Sequence, residues 1–146
     1  MATTFSHLGI CVSDLERSMR FYCEGLGFTT AEAHEVGAEF DRLMELDGVA
    51  LRSQFVRREQ MAIELLSFSS PGPVGERSRR SMNQFGLTHL SIRVDDVAAA
   101  AADLERLGGT VVDGTRTTFD LPSATLDFVY CTDPDGVRIE LMRLPD

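Results

Sequence analysis

The chain has 146 residues, enough for one unit that buries a core without covalent staples. Its formal net charge of −9 sets it against phosphate backbones and anionic lipid, so nucleic acid and membrane surfaces are excluded as partners. No apolar stretch nears the roughly 18 residues of a spanning helix.

The elements follow in chain order. Residues 5–12 read as a buried strand. Ser13-Asp14 offers a capping oxygen, and Leu15, Met19, Tyr22 and Leu26 recur at helical spacing, which predicts an amphipathic helix over 14–25 closed near Gly25 and Gly27. A strand over 28–35, a short helix over 38–46 and a turn at Asp47-Gly48 come next. Residues 49–57 and 61–68 form a hairpin through Arg58-Glu59-Gln60. Residues 69–86 carry Pro71-Gly72-Pro73 and the basic run Arg77-Ser78-Arg79-Arg80, and read as a linker with an exposed charge cluster. Beyond it lie a strand over 87–94, a cap at Asp95 or Asp96, a helix over 97–107 and a strand starting at 110–112. A polar loop over 113–123 leads to a second hairpin, 124–131 and 137–144, turning at Asp133-Pro134-Asp135-Gly136.

The two halves repeat. His89 follows His7 by 82 residues, and the same offset aligns Val12 with Val94, Asp14 with Asp96 and Gly27 with Gly109. Each half ends on a strand of like pattern, Ala62-Ile63-Glu64-Leu65-Leu66 and Arg138-Ile139-Glu140-Leu141-Met142. The expected class is α+β, with two β-α-β-β-β modules, 5–68 and 87–144, each too small to cover its own sheet. Alternation along a strand puts Leu8, Ile10 and Val12 on the helix side and His7, Gly9 and Cys11 on the other. The second half divides likewise, with His89, Ser91 and Arg93 opposite Leu90, Ile92 and Val94. Glu64 and Glu140 also point away from the helices. His34 has no counterpart in the repeat and reads as a surface residue.

Two imidazoles and two carboxylates at equivalent positions make a borderline donor set, suited to Zn, Ni, Co, Mn or Fe(II) rather than to Ca. An ion so held polarises a carbonyl or enediolate, and a neighbouring glutamate can take a proton. Cys11, Ser91 and Arg93 are expected to edge the substrate pocket, where Arg93 either holds an anionic group or forms a surface ion pair near Asp95. Three cysteines without CxxC spacing and an opening Met1-Ala2-Thr3-Thr4 without a leader pattern point to a cytoplasmic protein with reduced thiols.

Ser6-His7-Leu8-Gly9 with Phe21-Tyr22 and Gly25-Leu26-Gly27-Phe28, then Ile63-Glu64-Leu65, Thr88-His89-Leu90, and Asp133-Pro134-Asp135-Gly136 before Ile139-Glu140-Leu141, resemble the vicinal oxygen chelate superfamily. That group joins glyoxalase, bleomycin-resistance and extradiol-dioxygenase folds, and the resemblance spans essentially the whole chain as a single domain. The ligand set is similar to that of glyoxalase I. It implies a curved mixed sheet around one divalent metal held by His7, Glu64, His89 and Glu140, with Glu140 or Glu64 as proton carrier. It also implies a small vicinal-oxygen substrate, lyase or isomerase chemistry, and a homodimer. Cys11 replaces an arginine of the bacterial glyoxalase I pattern, and Leu65–Pro71 lacks its asparagine, so glutathione recognition does not carry over. Two alternatives stand beside this reading. One is a ring-cleaving dioxygenase, for which Tyr130 would fit as the tyrosine near the last ligand. The other is a non-enzymatic small-molecule-binding or resistance protein.

Overall fold

Strand β1 (Leu8–Cys11) leads into a helix whose start is set by Asp14. The Asp14 carboxylate accepts the Arg17 backbone N–H at 3.0 Å, satisfying a donor the helix itself leaves open. Helix α1 (Leu15–Arg20) continues as a wider turn over Phe21–Gly25, and Gly27 at φ +72° ends it. The structure, a computed structural model, describes residues 2–145. Strand β2 (Thr29–Val36), the short α2 (Asp41–Met44) and the hairpin β3 (Ala50–Arg58) and β4 (Met61–Ser70) complete the first half. Its strands lie in the order β1-β4-β3-β2, with β1 parallel to β4 and the other pairs antiparallel. Ile10, Val12, Phe21, Tyr22, Ile63 and Leu65 are buried in the core of this half.

The second half is built alike. Strand β5 (Leu90–Arg93) precedes α3 (Val97–Arg106), capped by Asp96, which accepts the Ala99 N–H at 2.9 Å. Strands β6 (Thr110–Val111), β7 (Thr117–Leu121), β8 (Ala124–Thr132) and β9 (Arg138–Arg143) follow. The order is β5-β9-β8, with both β6 and β7 paired to β8, and β5 parallel to β9. Val97, Ala101 and Leu104 of α3 are buried, as are Val129, Cys131, Ile139 and Leu141 of the sheet. The α+β class holds; the first half follows the expected β-α-β-β-β plan, while the second carries one strand more, β-α-β-β-β-β, and the halves form two compact units, Met1–Gly75 and Glu76–Asp146.

Two segments differ from expectation. Residues 113–123 are not a loop throughout, because Thr117–Leu121 pairs in register with Phe128–Ala124. Thr-Thr-Phe-Asp-Leu has the β-branched and aromatic content of a strand, which its polar flanks and Pro122 obscured. Segment 69–86 is likewise more than a spacer. Ser69 and Ser70 close β4, and from Glu76 onward the chain belongs to the second unit. There Arg138 Nη2 donates to the Arg80 carbonyl at 2.7 Å, and Gly136 lies under Ser78. A Cβ on Gly136 would fall 2.7 Å from the Ser78 carbonyl carbon, and its φ of +93° independently favours glycine. No helix among the described residues is long and apolar enough to cross a membrane.

Cys131, fully buried on β8, has its thiol pushed up to about 11 by burial, with the Glu105 carboxylate adding to the shift. A raised folded pKa keeps the proton in the native state, so this group's contribution is intact below the ordinary thiol range. It is lost as pH rises from about 9 to about 11. Iodoacetamide at pH 8 should therefore modify exposed Cys11 and spare Cys131, as mapped by peptide mass spectrometry. Equal labelling of the two would refute the buried assignment.

Candidate metal and substrate site

Parallel pairing of the first and last strands positions the two His–Glu pairs. Gly9 lies opposite Glu64 and Ser91 opposite Glu140, so the histidine two residues earlier, just ahead of each opening strand, sits diagonal to the glutamate. His7 Nε2 stands 3.2 Å from Glu64 Oε2, and His89 Nε2 stands 3.6 Å from Glu140 Oε2. Donors about 2.1 Å from a common ion, at angles of about 90–110°, are about 3.0–3.4 Å apart. The first pair has that separation and the second is slightly wider, so each fits two donors of one ion. Within each unit, among the described residues, no group of three or more His, Cys, Asp or Glu side chains gathers. The structure thus brings the four candidates together as two pairs.

Both histidines are held from behind. Ser6 Oγ lies 2.9 Å from His7 Nδ1, and Thr88 Oγ1 lies 2.9 Å from His89 Nδ1. When Nδ1–H donates to the hydroxyl, the Nε2 lone pair is left facing the glutamate, which is the tautomer a metal needs. The carboxylates are also held. Ser53 Oγ donates to Glu64 Oε1 at 2.5 Å, and Ser91 Oγ donates to Glu140 Oε2 at 2.7 Å. Their side chains are only 20% and 18% exposed, where an unsatisfied carboxylate would be costly. Across each hairpin an aromatic ring faces the glutamate. Phe55 pairs with Glu64 and stands edge-on to His7, with centroids 5.2 Å apart. Tyr130 pairs with Glu140 and stands edge-on to His89 at 5.5 Å. Burial raises the Tyr130 phenol above its usual range, and the charge and hydrogen bond of Glu140 raise it further.

The expected pocket residues divide. Ser91 joins Glu140 directly. Cys11 is exposed at the end of β1, opposite Leu66. Arg93 Nη2 donates to the carbonyls of Leu144 and Pro145, at 3.2 and 2.7 Å, so main-chain oxygens engage its guanidinium. His34 is exposed, as expected, with its ring centroid 6.1 Å from that of Phe55.

A family model described as the glyoxalase/bleomycin resistance protein/dioxygenase superfamily matches residues 4–141. The chain belongs to that superfamily. It is 37% identical to the protein YaeR of Escherichia coli over 92% of both chains. It is 30% identical to a 2-epi-5-epi-valiolone epimerase from an Actinomyces species, covering 99% of this chain and 81% of that protein. Among solved structures, a glyoxalase family protein from Bacillus cereus superposes with a TM-score of 0.83, at 18% identity over 98% of this chain and 95% of its own. At that identity the likeness speaks for the fold, which is that of vicinal oxygen chelate proteins.

Beside Glu140, this superfamily member has a recess of about 260 Å³ walled by Phe119, Phe128, Tyr130, Thr115 and Thr117. Its outer wall is β7, held to β8 by the strand ladder and by Arg116, whose guanidinium meets both oxygens of Asp127. Ser53, Phe55 and this wall were not singled out in the sequence. Phe55 and Tyr130 face the glutamates through hairpin register, and the turns expected over 58–60 and 133–136 would have set that register one or two residues off. Asp127 is 8% exposed, so Arg116→Ala strands a buried carboxylate and should cost about 1–3 kcal/mol. Arg116→Lys should recover only part of that, since a lysine cannot form the two-pronged contact. Urea unfolding midpoints check both, and an Arg116→Ala protein as stable as the parent would contradict the assignment.

Proposed function

We propose that the chain is a divalent-metal-dependent enzyme that moves a proton on a small substrate bearing neighbouring oxygens, as a lyase or isomerase. The observation supporting this is the repeated His–Glu pair, with each Nε2 facing a carboxylate oxygen and each Nδ1 held by the preceding hydroxyl. His7, Glu64, His89 and Glu140 would hold one ion of the Zn, Ni, Co, Mn or Fe class, with each unit supplying half the ligands. Bound there, the ion supplies Lewis acidity toward the substrate oxygens. Glu140 is the better placed base, because it alone of the two glutamates borders the recess. The Ser91 hydroxyl and His89 both address Oε2 of Glu140, which orients the carboxylate for proton transfer at the recess. Ser53 holds Glu64 in the same way on the first unit. The epimerase relative works by a change of configuration at carbon, which agrees with a proton carrier of this kind. We further propose a cytoplasmic homodimer with reduced thiols, the two halves of the metal site meeting within one chain or between two.

Metal analysis of unchelated protein should find close to one divalent ion per site. Glu64→Gln or His89→Ala should abolish stoichiometric loading, while Ser6→Ala or Thr88→Ala should weaken it by about 10–100-fold. Undiminished metal content in Glu64→Gln and His89→Ala would make the four residues structural. Mixing His7→Ala with His89→Ala chains should restore loading only where ligands come from two chains. In deuterated water, candidate hydroxycarbonyls should take up solvent deuterium with the parent protein and not with Glu140→Gln. Exchange that survives in both Glu140→Gln and Glu64→Gln would remove both glutamates as bases.

A further inference from the structure

The recess beside Glu140 offers a chemistry distinct from that of the equivalent face of the first unit. Register makes Phe128 the counterpart of Ser53, since each lies two residues before the aromatic that faces the glutamate. Thr117 pairs with Phe128 where His34 pairs with Ser53. The first unit therefore presents a hydroxyl and an imidazole at positions where the second presents an aromatic ring and a threonine. Near them in the first unit lies the Glu32–Arg57 ion pair at 3.0 Å. In the second unit Phe119 and Phe128 stand edge-to-face, with centroids 6.4 Å apart.

The threonine hydroxyls around the recess are already committed. The Thr115 hydroxyl donates to the Val112 carbonyl at 2.8 Å and accepts the Tyr130 N–H at 3.0 Å. The Thr117 hydroxyl donates to the Thr115 carbonyl at 3.0 Å. Both side chains thus have their only hydroxyl proton engaged. Among the described residues lining the recess, Glu140 carries the one charge, and it is negative. Arg138, two residues before Glu140 on β9, lies over the Tyr130 ring at 5.0 Å and donates to the Arg80 carbonyl. It is not part of the wall. An apolar space of about 150 Å³ suffices for a benzene ring, so the recess has room for a ring with a short substituent.

From this we infer that the recess is a substrate subsite for an uncharged apolar group, a flat ring or a branched hydrocarbon, carried next to the carbon on which Glu140 acts. The inference deepens the enzymatic reading and rests on it for the word substrate, while the binding itself does not. An anionic conjugate group is rejected there for two reasons. No free hydroxyl proton of the threonines offers it a hydrogen bond, and the Glu140 carboxylate repels it. Phe119 and Phe128 offer ring edges and faces to an aromatic occupant instead.

Fluorine NMR with fluorobenzene and 4-fluorobenzoate, which differ by one charged group, tests this on the full chain. Fluorobenzene should bind saturably both as purified and after chelation. In chelated protein, where no ion can capture a carboxylate, 4-fluorobenzoate should bind at least about tenfold more weakly. Phe119→Ser, a change at a half-exposed position, should weaken fluorobenzene about fivefold, and Phe119→Leu should stay within about twofold of the parent. Glu140→Gln should leave fluorobenzene unchanged and tighten 4-fluorobenzoate. Non-saturable fluorobenzene binding, or benzoate binding equal to it in chelated parent protein, overturns the subsite. Because both probes are read without metal or turnover, failed metal loading with intact fluorobenzene binding would sink the enzymatic reading alone.

Discussion

In each unit the strand that opens the module lies parallel to the strand that closes it, and the rest of the arrangement depends on that pairing. Parallel neighbours cannot be joined by a tight turn; they need a long crossover, which here carries the helix and the intervening strands. The helix covers one face, leaving the opposite face for polar groups. The pairing also sets a register, Gly9 with Glu64 and Ser91 with Glu140, that is the same in both units. A slip of one residue would turn every side chain of β1 or β5 to the other face, carrying Ile10 or Ile92 out of the core and the histidine into it. The core and the His–Glu pair therefore specify each other. Burial of Ile10, Ile63 and Leu65 holds the register that puts His7 against Glu64.

Placing a carboxylate on a largely buried strand face carries a desolvation cost that neighbours must offset. The two units solve this differently. Glu64 is met by Ser53 from the adjacent hairpin strand, while Glu140 is met by Ser91 from the parallel neighbour and by Tyr130 across the hairpin. Gly9 occupies the place of Ser91 in the first unit, so a hydroxyl had to come from elsewhere. Both solutions leave one carboxylate oxygen beside the histidine Nε2. That shared outcome by unlike means argues that the His–Glu contact, rather than any particular hydrogen bond, is the constrained feature.

Much of this was legible in the sequence, and the limits have physical causes. The 82-residue offset disclosed the modular plan, and strand alternation placed His7, Glu64, His89 and Glu140 away from the helices, because the first needs only self-similarity along the chain and the second only local periodicity. The caps at Asp14 and Asp96 were visible for the same reason. Ser53 and Phe55 went unseen because their roles arise from hairpin register, which couples residues through a turn whose type periodicity does not reveal. Tyr130 was noticed through a family resemblance, yet its place opposite Glu140 needed that register. Strand β7 was hidden by its setting, since Thr117–Leu121 is exposed and bounded by Gly114 and Pro122. It is secured by β8 and the Arg116–Asp127 contact rather than by a buried face of its own.

The departure of the two modules from each other is as informative as their likeness. A repeat under pressure only to fold would keep similar polarity on equivalent faces, yet Ser53 and His34 on one unit correspond to Phe128 and Thr117 on the other. The His–Glu pairs and the hydroxyls behind the histidines stayed alike. The difference falls on the positions beside the glutamates, where a bound molecule would meet the protein. Alike His–Glu pairs thus have unlike surroundings, in that one glutamate borders an apolar recess and the other shares its face with a hydroxyl and an imidazole. Unlike surroundings are what would let two carboxylates at equivalent positions take different tasks, which a strictly symmetric pair of modules could not.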